Sequence, residues 1–197
     1  MIAKTTDLTR YMYLPAKGIT IAISGSTTSG DTLSTGDALR YLQDAEARVA
    51  RILGDVPEVY TRLATAFSSG TTIVPDTIVV ADWDSAGYIY MSGLVIAYTG
   101  TTTASFTGCT CSYGIPVSPV GTFIIQAYES EFYGNEDAKG LEAELYYRLD
   151  LICKLAAYEI WVTRFPADDM PKVIDEWKKG AERELARKAS GAGYVRP

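Results

Sequence analysis

Twice along this chain the spacing of apolar residues changes its period, and that double change limits the folds open to it. From Asp37, Leu39, Leu42, Val49, Ile52 and Leu53 recur at intervals of three, four and seven, the spacing of a helix with one inward face. After Ser68 the composition turns to Thr, Val, Ile, Tyr and Gly and the period drops to two, as across Asp76–Ala81 and Gly87–Thr99. Near Glu136 the helical period returns, and Leu141, Leu145, Leu149, Ile152, Ala156 and Ile160 draw one stripe along about thirty residues. The expected class is α+β: a helical bundle body with a projecting antiparallel β insertion and an extended C-terminal tail.

The same changes set the expected boundaries. Residues 1–35 form an N-terminal arm, with a short strand at Gly18–Ile23 and a Gly, Ser and Thr loop through Ser34. Residues 36–69 and 134–189 form the helical body, 70–133 the β-rich insertion and 190–197 the C-terminal tail. In the body, Asp37 reads as the cap of the first helix and Gly54 as its stop. A second helical stretch over Glu58–Phe67 places Val59, Leu63 and Phe67 on one face. In the insertion, Ser92-Gly93 predicts a hairpin turn between Tyr88–Met91 and Leu94–Tyr98, and Phe123–Tyr128 a strand after the turns at Pro116–Pro119. The last helix is capped at Asp168 or Asp169, carries Pro171 in its first turn and turns Val173, Ile174, Trp177, Ala181 and Leu185 inward. Its Arg183, Arg187 and Lys188 complement the carbonyl dipole of the C-terminus.

Composition narrows function. With 197 residues, 47% of them hydrophobic, the chain can bury a substantial core. Its longest apolar stretch, Ile152–Val162, is broken by Lys154 and Glu159 and falls short of the roughly 20 residues that span a bilayer, so no membrane association is expected. Residues 1–15 carry Asp7 and Arg10 rather than the pattern of a signal peptide, and no export route is expected. There is no histidine, which removes the commonest general base and metal ligand. The three cysteines, two of them the closely spaced Cys109 and Cys111, fit a reducing compartment better than a disulfide framework. A net charge of −6 disfavours gripping phosphates and permits a conduit along which DNA slides.

Each chemical candidate has a plainer reading that weighs more. Asp82-Trp83-Asp84 lacks the ordered oxygen ligands of a calcium or magnesium site and reads as a polar turn. Cys109-Thr110-Cys111 lacks CxxC spacing and reads as packed thiols. Gly25–Gly36 has neither the phosphate-loop Lys nor the GxGxxG order, and reads as a linker or contact loop. Glu142, Glu144 and Asp150 share their helix with Lys139, Arg148 and Lys154, a charged face rather than an acid–base pair. No catalytic, cofactor-binding or metal residue is assigned, and no enzyme activity is expected. The rings Tyr146, Tyr147, Tyr158, Trp161 and Phe165 wrap more of their helix than one stripe needs. Tyr146, Tyr147, Tyr158 and Trp161, with Arg183 and Arg187, are therefore the intersubunit candidates, beside the alternative that the rings are covered by the chain itself.

The stretch from Gly93 through Tyr98-Thr99-Gly100 and Ser105-Phe106-Thr107-Gly108 to Cys109 resembles a β element of tailed-bacteriophage virion proteins. Around it, the segment Gly36–Phe67 with its Asp37–Leu53 helix, and the helices after 136, are similar to the helical body of head-to-tail connector proteins, also called adaptor or head completion proteins. That resemblance implies a structural virion protein of the neck, assembled in the host cytoplasm. It implies a homo-oligomeric ring of about twelve copies that docks on the portal protein, meets the next neck or tail protein and lines the DNA channel. Its C-terminal tail would reach the portal, with Tyr194, Val195 and Arg196 as anchors. Two alternatives remain: a tail or tail-tip structural protein with the same β element, or a β-domain binding module for a receptor or glycan that presents Trp83, Tyr88, Tyr90 and Tyr98.

Overall fold

The computed structural model describes residues 2–14, 18–56, 59–76, 82–128, 136–165 and 171–190. The chain is α+β and divides into two compact units, one made of 1–55 with 146–197, the other of 56–145.

The first unit opens with a short helix α1 (Thr5–Leu8), a 3-10 turn (Thr9–Tyr11), the antiparallel pair β1 (Tyr13–Leu14) and β2 (Ile19–Thr20), and the parallel pair β3 (Ala22–Ile23) and β4 (Thr32–Leu33). The expected N-terminal arm is thus a packed segment: Ile2, Ala3, Leu8, Tyr11, Met12, Leu14, Ile21 and Leu33 are all buried. Its apolar residues are too few for a core of their own, and they gain burial only against the helices that follow.

Helix α2 spans Thr35–Leu53. Its cap is Ser34, not Asp37: the Ser34 hydroxyl accepts from the Asp37 backbone N–H at 3.0 Å and donates to the Asp37 carboxylate at 2.8 Å. The carboxylate in the first turn thereby holds the cap in place near the positive end of the helix. At the other end Gly54 takes φ +80° and stops the helix, as expected. The inward face is Ala38, Leu42, Ala45 and Val49, while Ile52 turns to solvent.

Helix α3 runs over Glu136–Arg164 and α4 over Lys172–Ala189. The expected α3 stripe is buried throughout, but so are Leu151, Cys153, Leu155 and Ala157, which lie off it. From Tyr146 onward, where it belongs to the first unit, the helix is buried on several sides and serves as that unit's centre. In α4, Ile174, Ala181 and Leu185 point inward, Trp177 is half-buried and Val173 is exposed. Pro171 is the N-cap residue of α4, and the proposed caps Asp168 and Asp169 lie outside the described residues.

The second unit is built on a four-stranded antiparallel sheet of β5 (Tyr60–Arg62), β6 (Gly87–Met91), β7 (Leu94–Tyr98) and β10 (Phe123–Ala127), in the order β5-β10-β6-β7. A further pair, β8 (Gly100–Thr101) and β9 (Phe106–Thr107), follows β7. Ser92 at φ +50° and Gly93 at φ +85° make the tight turn between β6 and β7, with Met91 opposite Leu94. Leu63, Phe67, Ile73, Ile89, Met91, Ile96, Phe106 and Ile124 are among the residues of its core.

Glu58–Phe67 is not helical over its described residues 59–67. Tyr60–Arg62 pairs with Ile125–Phe123 of β10, and Leu63 and Phe67 bridge to Pro75 and Ser118. Val59, Leu63 and Phe67 do pack on one core. A spacing of four also serves a strand followed by a turn, and the β-favouring Val59-Tyr60-Thr61 run together with a waiting partner strand decides for the sheet. The β-rich unit accordingly starts before residue 70 and takes in the first turns of α3.

Candidate functional site

The motif that carries the resemblance is a close-packed β element. Gly100 lies opposite Thr107, and a Cβ on it would sit 2.5 Å from Thr107 Oγ1. Gly108 takes φ +64°, and a Cβ there would collide with Thr99 Oγ1. Both glycines are therefore demanded by close approach, and Gly108 also by its backbone conformation. Phe106, the residue between the motif's Ser and Thr, is fully buried, with Trp83 at 4.8 Å and Tyr98 at 5.1 Å between ring centroids. Cys109 is buried as well, its thiol donating to the Phe106 carbonyl, and burial pushes its pKa up to about 11. Cys109 and Cys111 are free thiols, as their spacing suggested.

The same packing removes the aromatic platform. Trp83, Tyr90 and Tyr98 are core rings and only Tyr88 of the four is half-buried. The Asp82-Trp83-Asp84 turn is held by its backbone: the Asp84 carbonyl accepts from the Tyr98 hydroxyl at 3.1 Å and from Thr101 at 2.8 Å. Among the described residues no group of three or more Cys, Asp or Glu is placed to hold a metal ion, and no helix is long and apolar enough to cross a membrane.

The predicted intersubunit residues divide. Trp161 is fully buried and donates from Nε1 to the Tyr11 carbonyl at 3.0 Å, so it belongs to the core of its own chain and is withdrawn from the set. Tyr146 is exposed. Tyr147 is half-buried: its hydroxyl donates to Glu184 at 3.4 Å, Lys188 lies over its ring at 5.5 Å, and burial, with the Glu184 charge, raises its pKa. Arg187 pairs with Glu184 at 2.7 Å and lowers that carboxyl's pKa. Tyr158 carries Lys178 over its ring at 4.4 Å, and Arg183 is exposed. The structure thus brings Tyr147, Glu184, Arg187 and Lys188 together on the α3–α4 surface. Tyr194, Val195 and Arg196 lie outside the described residues.

Sequence reasoning missed the loop between Cys111 and Phe123. Tyr113 is 84% exposed, Val117 76% and Val120 63%, high values for side chains of this type. The backbone beneath them is pinned. Ser118 and Phe67 exchange two backbone hydrogen bonds of 2.8 and 2.9 Å, and the buried Ser118 hydroxyl meets that of Ser92 at 2.8 Å. Thr122 donates to the Pro119 carbonyl at 2.8 Å, and Arg62 Nε to that of Gly121 at 2.8 Å. The valines stand outward from a fixed frame.

Compared with known proteins, the chain matches no family model, no curated protein and no solved structure.

Proposed function

We propose that this chain is a structural virion protein, a head-to-tail connector whose copies form a ring between portal and tail with DNA passing through its centre. The observation that carries the reading is the Gly93–Cys109 element. Its resemblance to phage virion proteins rests on Tyr98-Thr99-Gly100 and Ser105-Phe106-Thr107-Gly108-Cys109, in which Gly100 and Gly108 leave room for the side chains of Thr107 and Thr99. In this reading the α-helical unit is the ring body, the β-rich unit projects from it as the insertion, and the C-terminal tail docks on the portal through Tyr194, Val195 and Arg196. Tyr146, Tyr147, Tyr158, Arg183 and Arg187 then face the neighbouring subunit. The protein resides in the virion neck and performs no catalysis.

The test is co-sedimentation with purified portal rings. The full chain is expected to travel with the portal, and a chain ending at Ser190 to lose that association. Failure of the full chain to bind portal, with capture by tail tube instead, would favour a tail component carrying the same β element.

A further inference from the structure

We infer that the loop carrying Tyr113, Val117 and Val120 is a self-association surface, and that its occupant is the uncharged face of a second copy of this chain. The inference rests on the assembly reading above only in that the partner is another copy; the surface argues for itself.

Three observations carry it. The first is the exposure of three apolar side chains on a backbone held by the Phe67–Ser118 bridge and the Thr122 and Arg62 hydrogen bonds. A pre-ordered loop loses little conformational freedom on docking, which favours contact. The second is charge. From Ser85 to Tyr128 the chain contains no Asp, Glu, Lys or Arg, although the whole carries a net −6. Two copies of an acidic chain repel one another wherever their charges meet, and this uncharged stretch offers an approach without that cost. Among the described residues, Arg62 is buried and bonded to the Gly121 carbonyl, and Glu142 is half-buried with hydrogen bonds from the Ser92 backbone N–H and the Tyr90 hydroxyl. Within the Ser85–Tyr128 stretch a basic or acidic partner finds no charge to pair with, whereas an identical neutral stretch does not have to desolvate one.

The third is size. Three residues, even at 84%, 76% and 63% exposure, are few beside the ~800 Å² per partner of a standard interface. The contact is therefore weak and reversible between two free chains, and it gains strength where many copies are held side by side.

Sedimentation velocity on the full chain between about 10 μM and about 500 μM tests this. The wild type is expected to show concentration-dependent association that persists in about 0.5 M salt, since no ion pair holds it. Val117→Asp with Val120→Asp is expected to weaken association about tenfold or more at unchanged melting temperature. Val117→Ser with Val120→Ser, which adds no charge, weakens it less. A wild type that stays monomeric over the whole range, association abolished by salt, or an Asp variant that associates like wild type overturns the inference. A chain that associates through this loop yet ignores the portal would leave the inference standing and remove the connector reading. Association through another face, with portal binding intact, does the reverse.

Discussion

Arg148 Nη1 donates to the carbonyl oxygen of Gly54 at 2.6 Å, so a residue of α3 closes the end of α2 from 94 positions further along the chain. Its Nη2 takes the Leu53 carbonyl at 3.2 Å. The last carbonyls of a helix have no partner within it, and here a buried cation supplies one while also meeting the negative end of the helix dipole.

Replacing that group exposes its value. Arg148→Met leaves two carbonyls without this donor and is expected to destabilise the chain by about 3 kcal/mol, read as a lower urea midpoint. Arg148→Lys, with one donor centre instead of a fork, should recover only part of the loss. An unchanged midpoint in Arg148→Met would show that the α2 terminus is held by something else.

The β element makes a second prediction. Gly108→Ala forces a Cβ against Thr99 at positive φ and should cost about 2–3 kcal/mol. Adding Thr99→Ala relieves the collision but not the backbone strain, so the pair should be more stable than Gly108→Ala alone. A double-mutant cycle with no coupling would contradict this packing.

Thiol reactivity follows from burial. Cys109 and Cys153 are buried and Cys111 is partly exposed. Brief labelling of the native chain with a maleimide should modify Cys111 first, whereas urea should make all three reactive. Early modification of Cys109, whose pKa burial pushes up to about 11, would contradict its position in the core.

A pH dependence centres on Glu142. Burial raises its pKa, against the lowering hydrogen bonds from the Ser92 N–H and the Tyr90 hydroxyl. The folded chain then holds this proton more tightly than the unfolded one, so the associated stability is full below the ordinary carboxylate range and is lost as pH rises through the raised value. Glu142→Gln should raise the urea midpoint near pH 7 more than it does near about pH 4, where the native carboxyl is itself protonated. Equal effects at both pH values would contradict the assignment.

The parts of this fold that were legible in the sequence are those settled by local pattern. The α3 stripe from Leu141 to Ile160 and the Ser92-Gly93 hairpin each depend on residues close together in the chain. Misread parts were decided by distant partners. Val59, Leu63 and Phe67 keep helical spacing, but pairing of Tyr60–Arg62 with β10 makes that segment a strand. The segment before Ser34 looked like a free arm because its carbonyl partner, the Trp161 indole, lies on α3. Trp161 itself looked like an interface residue because the stripe accounted for only one side of α3, whereas Leu151, Cys153, Leu155 and Ala157 are buried as well. The exposed Tyr113, Val117 and Val120 were hidden among prolines and glycines that signalled only turns. The available signal was the missing charge from Ser85 to Tyr128.

Native mass spectrometry of the purified chain, alone and then with portal protein, tests the proposed ring most directly. A closed assembly of about twelve copies, formed alone or only on the portal, is the predicted result. A chain that stays monomeric at all concentrations and does not respond to the portal would contradict it.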